Sequence, residues 1–134
     1  VNLAARLEGQ SKNYGVDIVI GEDTYQIAKQ SFATIELDLI AVKGKEEAVQ
    51  IYALLGDEKQ KEDASFQKLC EQHESMLRTY RSQDWDGARR LIDDCRQLDT
   101  RLETLYEMYD ERIEQYLIEP PAEDWDGVYV ATTK

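Results

Sequence analysis

Two polar side chains near the start of the chain, Asn2 and Arg6, have the types and the spacing to bind a sugar and a phosphate. They lie in residues 1–8 (VNLAARLE), where apolar residues recur with helical spacing. Residues four apart lie on one face of a helix. An amide there can hydrogen-bond the oxygens of a sugar, and a guanidinium can bind the adjacent phosphate. An ordinary amphipathic helix has the same spacing and is the commoner case.

Two lysines, Lys43 and Lys45, lie in a turn between two predicted strands. One strand runs to Val42 and residues 48–54 run back, and five intervening residues that contain a glycine are typical of a hairpin. An ammonium at a loop tip can bind phosphate oxygens and neutralise the charge that develops on departing pyrophosphate. Lysines also decorate hairpin turns without binding anything, so this turn alone is not specific.

These two motifs carry a resemblance to a known family. Residues 1–8 resemble the helix of class III nucleotidyl cyclases, the adenylate and guanylate cyclases, that bears their ribose-orienting Asn and transition-state Arg. Residues 42–45 (VKGK) are similar to the family's Val-Lys-Gly-Lys-Gly turn, and the separation of the two motifs also fits. Glu46 departs from that pattern, since the family often has Gly there, and this weakens the case for Lys45 more than that for Lys43. The resemblance favours an adenylate over a guanylate cyclase.

The resemblance implies a fold, an activity and site residues. Residues 1–56 would be the C-terminal portion of a ferredoxin-like cyclase catalytic domain of the α+β class, which converts ATP, or alternatively GTP, to a 3′,5′-cyclic nucleotide and pyrophosphate for signal transduction. Asn2 would orient the ribose, and Arg6 would stabilise the α-phosphate in the transition state. Lys43 would hold the terminal phosphates, and Lys45 could share that task.

The same resemblance implies cofactors and partners. Two Mg or Mn ions would be held by aspartates that lie outside this chain, so no metal ligand is predicted among its residues. The residues that select the base would also lie outside it. The family's active site forms between two catalytic domains, which implies a homodimer. The chain alone would form one wall of the site and is expected to be inactive.

Composition narrows the classes of partner. The 134 residues carry a net charge of −12 and a pI near 4.5, which argues against nucleic acid or an anionic membrane as the main partner. No run approaches the length of a membrane span. Cys70 and Cys95 occupy apolar positions of helical patterns without Cys-x-x-Cys spacing, and they are typical of reduced core residues in a cytoplasmic protein. The full-length protein could still be membrane-anchored.

Residues 1–56 are predicted to form strands and short helices. A β-branched run over 16–20 predicts a buried strand, and residues 24–29 predict a short helix preceded by two acids. Residues 35–39 alternate apolar and acidic side chains, which is typical of a half-buried strand. Residues 57–63 contain almost only charged and amide side chains and are predicted to be a linker.

Residues 64–119 have the apolar spacing of helices. Three apolar stripes predict about three helices over 64–119, with Ser82 or Asp84 as candidate caps and a break at Asp99-Thr100. The stripes comprise Phe66, Leu69, Cys70, His73, Leu77 and Tyr80; Trp85, Ala88, Leu91, Ile92, Cys95 and Leu98; and Leu102, Leu105, Tyr106, Tyr109, Ile113, Tyr116 and Leu117. The first two helices resemble one tetratricopeptide-like unit, although such folds need about three repeats. His73 is interpreted as a satisfied helix residue, because no second ligand stands at metal-binding spacing.

Residues 120–134 begin with two prolines that end the last helix. They contain a second Asp-Trp-Asp-Gly sequence, at 124–127, which echoes residues 84–87 and is interpreted as a coincidence of capping residues. The tail resembles the ending of some bacterial membrane-anchored adenylate cyclases. Residues 128–130 could add to a sheet edge or dock on the helices, and the sequence does not choose.

Two other functions remain open. The helical part could be a protein-interaction or dimerisation module attached to a non-catalytic cyclase remnant. Alternatively, a catalytically dead cyclase-like domain could sense nucleotides. Two aspartates about 40 residues apart upstream of Val1, a spacing implied by the family, would favour the enzyme.

Overall fold

The structure, a computed structural model, describes residues 14–42 and 48–131, and these confirm the predicted α+β class. They fall into two compact units, one of residues up to Asp63 together with the segment from Val128, and one of residues 64–127. The described elements are β1 (Val19–Gly21), α1 (Glu22–Ala28), β2 (Ala33–Val42), β3 (Val49–Gly56), α2 (Glu58–Glu62), α3 (Ala64–Arg81), α4 (Trp85–Leu98), a 3₁₀ turn (Thr100–Leu102), α5 (Glu103–Ile118) and β4 (Tyr129–Ala131).

The first unit contains a sheet with the strand order β1-β3-β2-β4. β3 pairs with β1 and with β2 in the antiparallel sense, and β4 pairs with β2 in the parallel sense. The predicted antiparallel pairing of the strands on either side of the lysine turn is therefore confirmed. The core of the first unit contains aliphatic side chains from the two long strands, β2 and β3, which include Ile35, Leu37, Ile40 and Ile51.

The register of β2 changes part-way along the strand, and this overturns one implication of its alternating sequence. Strict alternation would turn both Glu36 and Asp38 towards solvent. The β2–β3 register shifts between these two acids, and such a bulge moves the following side chains to the opposite face. Asp38 is consequently only 1% exposed and lies beside the buried Leu37.

The strand predicted over 16–20 is shorter than expected. β1 begins at Val19, and Ile18 is 48% exposed. Only three register pairs join β1 to β3, from Val19↔Ala53 to Gly21↔Ile51. The backbone N–H of Leu54 still donates to the Ile18 carbonyl oxygen at 3.1 Å. The apolar and β-branched side chains over 16–20 therefore do not by themselves fix where the strand begins.

The predicted charged linker contains a five-residue helix, α2. The Asp57 side chain accepts a hydrogen bond from the backbone N–H of Gln60, which is the geometry of an N-cap. Lys61 Nζ donates to the carbonyl oxygen of Gln30 at 2.8 Å. This helix therefore belongs to the first unit.

The second unit contains the three long helices predicted from the apolar stripes. The Asp84 side chain caps α4 by accepting from the backbone N–H of Gly87, so Asp84 is the cap of the two candidates. The prediction that Leu117 belongs to the buried stripe of α5 is wrong, since its side chain is 51% exposed. The buried stripe ends about one turn before the helix does. The fully buried residues on these helices are Leu69, His73, Met76, Leu77, Tyr80, Ala88, Ile92, Cys95, Leu105, Tyr106, Tyr109 and Ile113.

The tail adds to the sheet edge, which is one of the two placements that the sequence left open. β4 pairs with β2 from Ile40↔Tyr129 to Val42↔Ala131. Among the described residues, no helix is long and apolar enough to cross a membrane.

Candidate functional site

The four residues with predicted chemical roles, Asn2, Arg6, Lys43 and Lys45, lie outside the described residues. The structure instead describes the two strands that flank residues 43–47 in the sequence, and the buried contact of Tyr14.

The lysine turn follows β2 directly and precedes β3. The antiparallel register ends at Leu39↔Gln50 and Ile40↔Val49, two residues before the end of β2. Buried Ile40 and Ile51 anchor the two strands in the core near this point. The chain thus enters the turn from a strand whose position is set by the core.

A buried hydrogen bond joins β2 to Tyr14, the first residue that the structure describes. The Tyr14 hydroxyl donates to Asp38 Oδ2 at 2.7 Å, and the backbone N–H of Leu39 donates to Oδ1 at 2.8 Å. Tyr14 is 2% exposed. Asp38 lies within β2, five residues before Lys43 in the sequence.

We expect Tyr14→Phe to destabilise the first unit by about 1–3 kcal/mol, because it leaves a buried carboxyl oxygen without this donor. The measurement is urea unfolding followed by far-UV circular dichroism. Asp38→Ala, alone and combined with Tyr14→Phe, completes a double-mutant cycle that isolates the Tyr14–Asp38 pair from the other effects of each substitution. A coupling energy near zero would contradict a role for this bond in stabilising the first unit.

A second polar contact holds α1 on the sheet. The Tyr52 hydroxyl donates to Glu22 Oε2 at 2.8 Å, and the Tyr25 and Tyr52 rings stack with centroids 3.7 Å apart. Burial, followed by the hydrogen bond and the charge of Glu22, raises the pKa of Tyr52 well above its ordinary value. A phenol that keeps its proton is a hydrogen-bond donor, so the contact is structural.

In the second unit, the Tyr106 hydroxyl of α5 contacts polar side chains on both of the other long helices, His73 on α3 and Cys95 on α4. His73 Nδ1 lies 2.9 Å from this hydroxyl, which confirms that His73 is a satisfied core residue. Burial raises the pKa of the Cys95 thiol to about 11, against a smaller opposite effect of its hydrogen bond with Tyr106. Burial, together with Glu74, raises the pKa of Cys70 to about 11 as well. Both thiols therefore keep their protons at neutral pH. Cys95 is a core residue as predicted, whereas Cys70 is only partly buried.

These pKa values predict slow alkylation of Cys70 in the folded chain. At pH 8 its thiolate fraction should be about a hundredfold smaller than that of a thiol with an ordinary pKa, and should rise as the pH approaches 11. Mass spectrometry after iodoacetamide treatment, in native buffer and in urea, measures this difference. Equal rates in the two conditions would contradict the raised pKa.

Metal ligands are not assigned to this chain. Among residues 14–42 and 48–131, no three His, Cys, Asp or Glu side chains are grouped so that they could hold a metal ion. No protein-family model, curated protein or solved structure matches the chain.

Sequence reasoning missed Asp38 and Tyr14. The alternating pattern of β2 gives Asp38 the appearance of a solvent-facing acid, and Tyr14 reads as part of a polar loop closed by Gly15. The signal available was weak: an aromatic residue with a hydrogen-bonding tip, directly before a glycine, which adopts a positive φ of 69°.

Proposed function

We propose that residues 1–56 form the C-terminal part of a class III nucleotidyl cyclase domain of the ferredoxin-like fold, which makes a cyclic nucleotide from ATP in preference to GTP. The observation that supports the proposal is the antiparallel pairing of β2 with β3, the two strands that flank residues 43–47 in the sequence. The Tyr14–Asp38 bond joins β2 to a residue that lies between the two motifs in the sequence.

In the proposed reaction the ribose 3′-oxygen attacks the α-phosphorus, and the bond to the departing pyrophosphate breaks. Asn2 holds the ribose so that its 3′-oxygen is aligned with the α-phosphorus. Arg6 donates hydrogen bonds to the α-phosphate oxygens as charge develops on them, and Lys43 balances the charge on the pyrophosphate. Bound Mg or Mn ions would supply activation of the attacking oxygen, from ligands that we place outside this chain.

The proposal extends to partners and location. A second cyclase domain, most simply another copy of the protein, supplies the opposite wall of the site, so that the enzyme works as a homodimer in the cytoplasm. The helical unit is a tetratricopeptide-like extension, in which the buried Ala88 permits close packing of α3 against α4. Neither nucleic acid nor a membrane is a partner of this segment.

The test uses the complete protein with ATP or GTP and magnesium or manganese, and follows the cyclic product. Lys43→Ala should raise KM about 10- to 100-fold, because a charge-assisted hydrogen bond contributes about 1.5–3 kcal/mol and each 1.4 kcal/mol is a factor of ten. The exposed Lys59 on α2 provides the control, since Lys59→Ala removes the same charge without affecting the turn.

Absence of cyclic product from either nucleotide would overturn the proposal. It would favour the helical unit as an interaction module attached to an inactive remnant. Binding of nucleotide without turnover would favour nucleotide sensing.

A further inference from the structure

The repeated Asp-Trp-Asp-Gly sequence places two tryptophans side by side in the second unit. The ring centroids of Trp85 and Trp125 lie 6.1 Å apart, although the two copies have different local structures. Tyr116 of α5 contacts both rings, at centroid distances of 5.3 and 5.2 Å. These three rings are termed the aromatic patch. The second copy begins no helix, so helix capping accounts for the first copy alone.

Contacts within the second unit hold Trp125, although it lies outside the helices. Gln83 Nε2 donates to the carbonyl oxygen of Ala122 at 2.7 Å, and the backbone N–H of Trp125 donates to the same oxygen at 3.0 Å. Gly127 has a φ of +85°, and a Cβ atom there would lie 2.5 Å from Arg81 Cγ. A side chain at this position is disfavoured both by the backbone conformation and by the contact. Trp125 therefore has a defined position in the aromatic patch.

The aromatic patch is more exposed than the tyrosines that support it. Tyr80 and Tyr109 are 1% and 0% exposed, whereas all three rings of the patch are only partly buried. The Tyr80 ring lies 5.8 Å from Trp85, 6.2 Å from Tyr116 and 5.5 Å from Trp125 between centroids. It forms a buried base for rings that keep part of their surface in contact with solvent. Tryptophan and tyrosine in this setting are the residues enriched at protein interfaces.

The charge around the aromatic patch is negative. Each tryptophan lies between two aspartates in the sequence, and all four of these side chains are exposed: Asp84, Asp86, Asp124 and Asp126. Residues 64–127 contain 8 Lys and Arg against 16 Asp and Glu, a net charge of −8. Arg89, one turn after Trp85, already pairs with Asp110 at 3.9 Å and with Glu114 at 3.5 Å. The surroundings therefore favour a positively charged ligand at the patch.

We propose that the aromatic patch is a docking site for an arginine side chain in a basic segment of a partner protein. A guanidinium stacks on the face of tryptophan or tyrosine, and a neighbouring carboxylate adds a charge-assisted hydrogen bond. Arginine is favoured over lysine because its planar group is more weakly hydrated. The class of partner follows from charge complementarity, since a basic segment is attracted to an acidic unit and nucleic acid is repelled. The inference concerns the second unit and does not depend on the proposed cyclase activity.

The test adds a short peptide of alternating glycine and arginine to the full 134-residue chain. Both tryptophans of the chain lie in the aromatic patch, so their fluorescence reports binding at the patch, and calorimetry gives the Kd. The same peptide with citrulline in place of arginine has nearly the same shape without the charge. We expect the arginine peptide to change the fluorescence and to bind at least about tenfold more tightly than the citrulline peptide.

Charge-neutral variants separate the patch from the general acidity of the chain. Asp86→Asn combined with Asp124→Asn should weaken binding of the arginine peptide about fivefold, because two ion pairs are lost. The control is Glu71→Gln combined with Glu107→Gln, which removes the same charge from exposed positions. These two residues lie nine positions before Tyr80 and Tyr116, about 13 Å along their helices, where salt screens their effect. The control should bind within about twofold of the wild type.

An aromatic substitution tests the ring face itself. Trp125→Leu should weaken binding of the arginine peptide about five- to tenfold, with Trp85 left as the fluorescent reporter. Trp125→Phe keeps an aromatic face and should retain most of the binding, which a merely structural role for the side chain would not require. Circular dichroism of each variant identifies any that fails to fold.

Four results would overturn the inference. They are no binding of the arginine peptide, equal binding of the citrulline peptide, equal weakening by the acidic variants and their control, and equal binding by Trp125→Leu and the wild type. Fluorescence that depends on protein concentration and does not respond to peptide would instead show that a second copy of the chain covers the patch.

Discussion

Replacing Arg6 by alanine in the complete protein should lower the turnover number about 10²–10³-fold, the largest kinetic effect expected from this chain. The reason is that a donor directed at charge present mainly in the transition state contributes to kcat more than to substrate binding. KM should therefore change much less than kcat. Steady-state kinetics of cyclic nucleotide formation, at saturating ATP and magnesium, measures both.

Arg90→Ala is the matched control for Arg6→Ala. Arg90 is an exposed arginine on α4 in the second unit, so its removal changes the net charge by the same amount without touching the proposed site. If Arg6→Ala raised KM and left kcat unchanged, Arg6 would be a ground-state binding residue. If it matched Arg90→Ala in both constants, the resemblance of residues 1–8 to the cyclase helix would carry no catalytic meaning.

The largest effect on stability is expected from Tyr80→Ala. The Tyr80 ring is 1% exposed and lies at the centre of an aromatic cluster, 5.0 Å from Tyr109 and 5.8 Å from Trp85 between centroids. Truncating a buried aromatic side chain to alanine costs about 3–5 kcal/mol, because the lost burial is accompanied by a cavity. We expect a loss of that size for the helical unit.

Urea unfolding followed by tryptophan fluorescence measures this loss selectively. The chain has two tryptophans, and both Trp85 and Trp125 lie in the cluster around Tyr80. Ile118→Ala is the control, since Ile118 is 86% exposed at the end of α5 and its truncation should change stability by about 0.5 kcal/mol or less. Similar midpoints for the two variants would show that the cluster contributes little to the stability of the helical unit.

The two predictions concern separate parts of the chain. Arg6 tests the proposed chemistry of the first unit, whereas Tyr80 tests the packing of the second. A combined variant should therefore lose catalysis and helical-unit stability independently.

Local patterns in the sequence were sufficient for the helical unit. Apolar spacing of three and four residues predicts α3, α4 and α5, because each helix satisfies its own backbone and needs only one apolar face. The cap of α4 was among the two residues predicted, since an N-cap depends on side chains within one turn. The paired strands around the lysine turn were predicted for the same reason, because they are close in sequence.

Only the tertiary structure decided the features that depend on distant partners. The burial of Asp38 follows from a register shift against β3, which the alternation of β2 does not reveal. The pairing of β4 with β2, and the meeting of Trp85 with Trp125, join residues 89 and 40 positions apart. A strand acquires its hydrogen-bond partners, and an aromatic ring its neighbours, only when the chain is folded, so no local pattern encodes them.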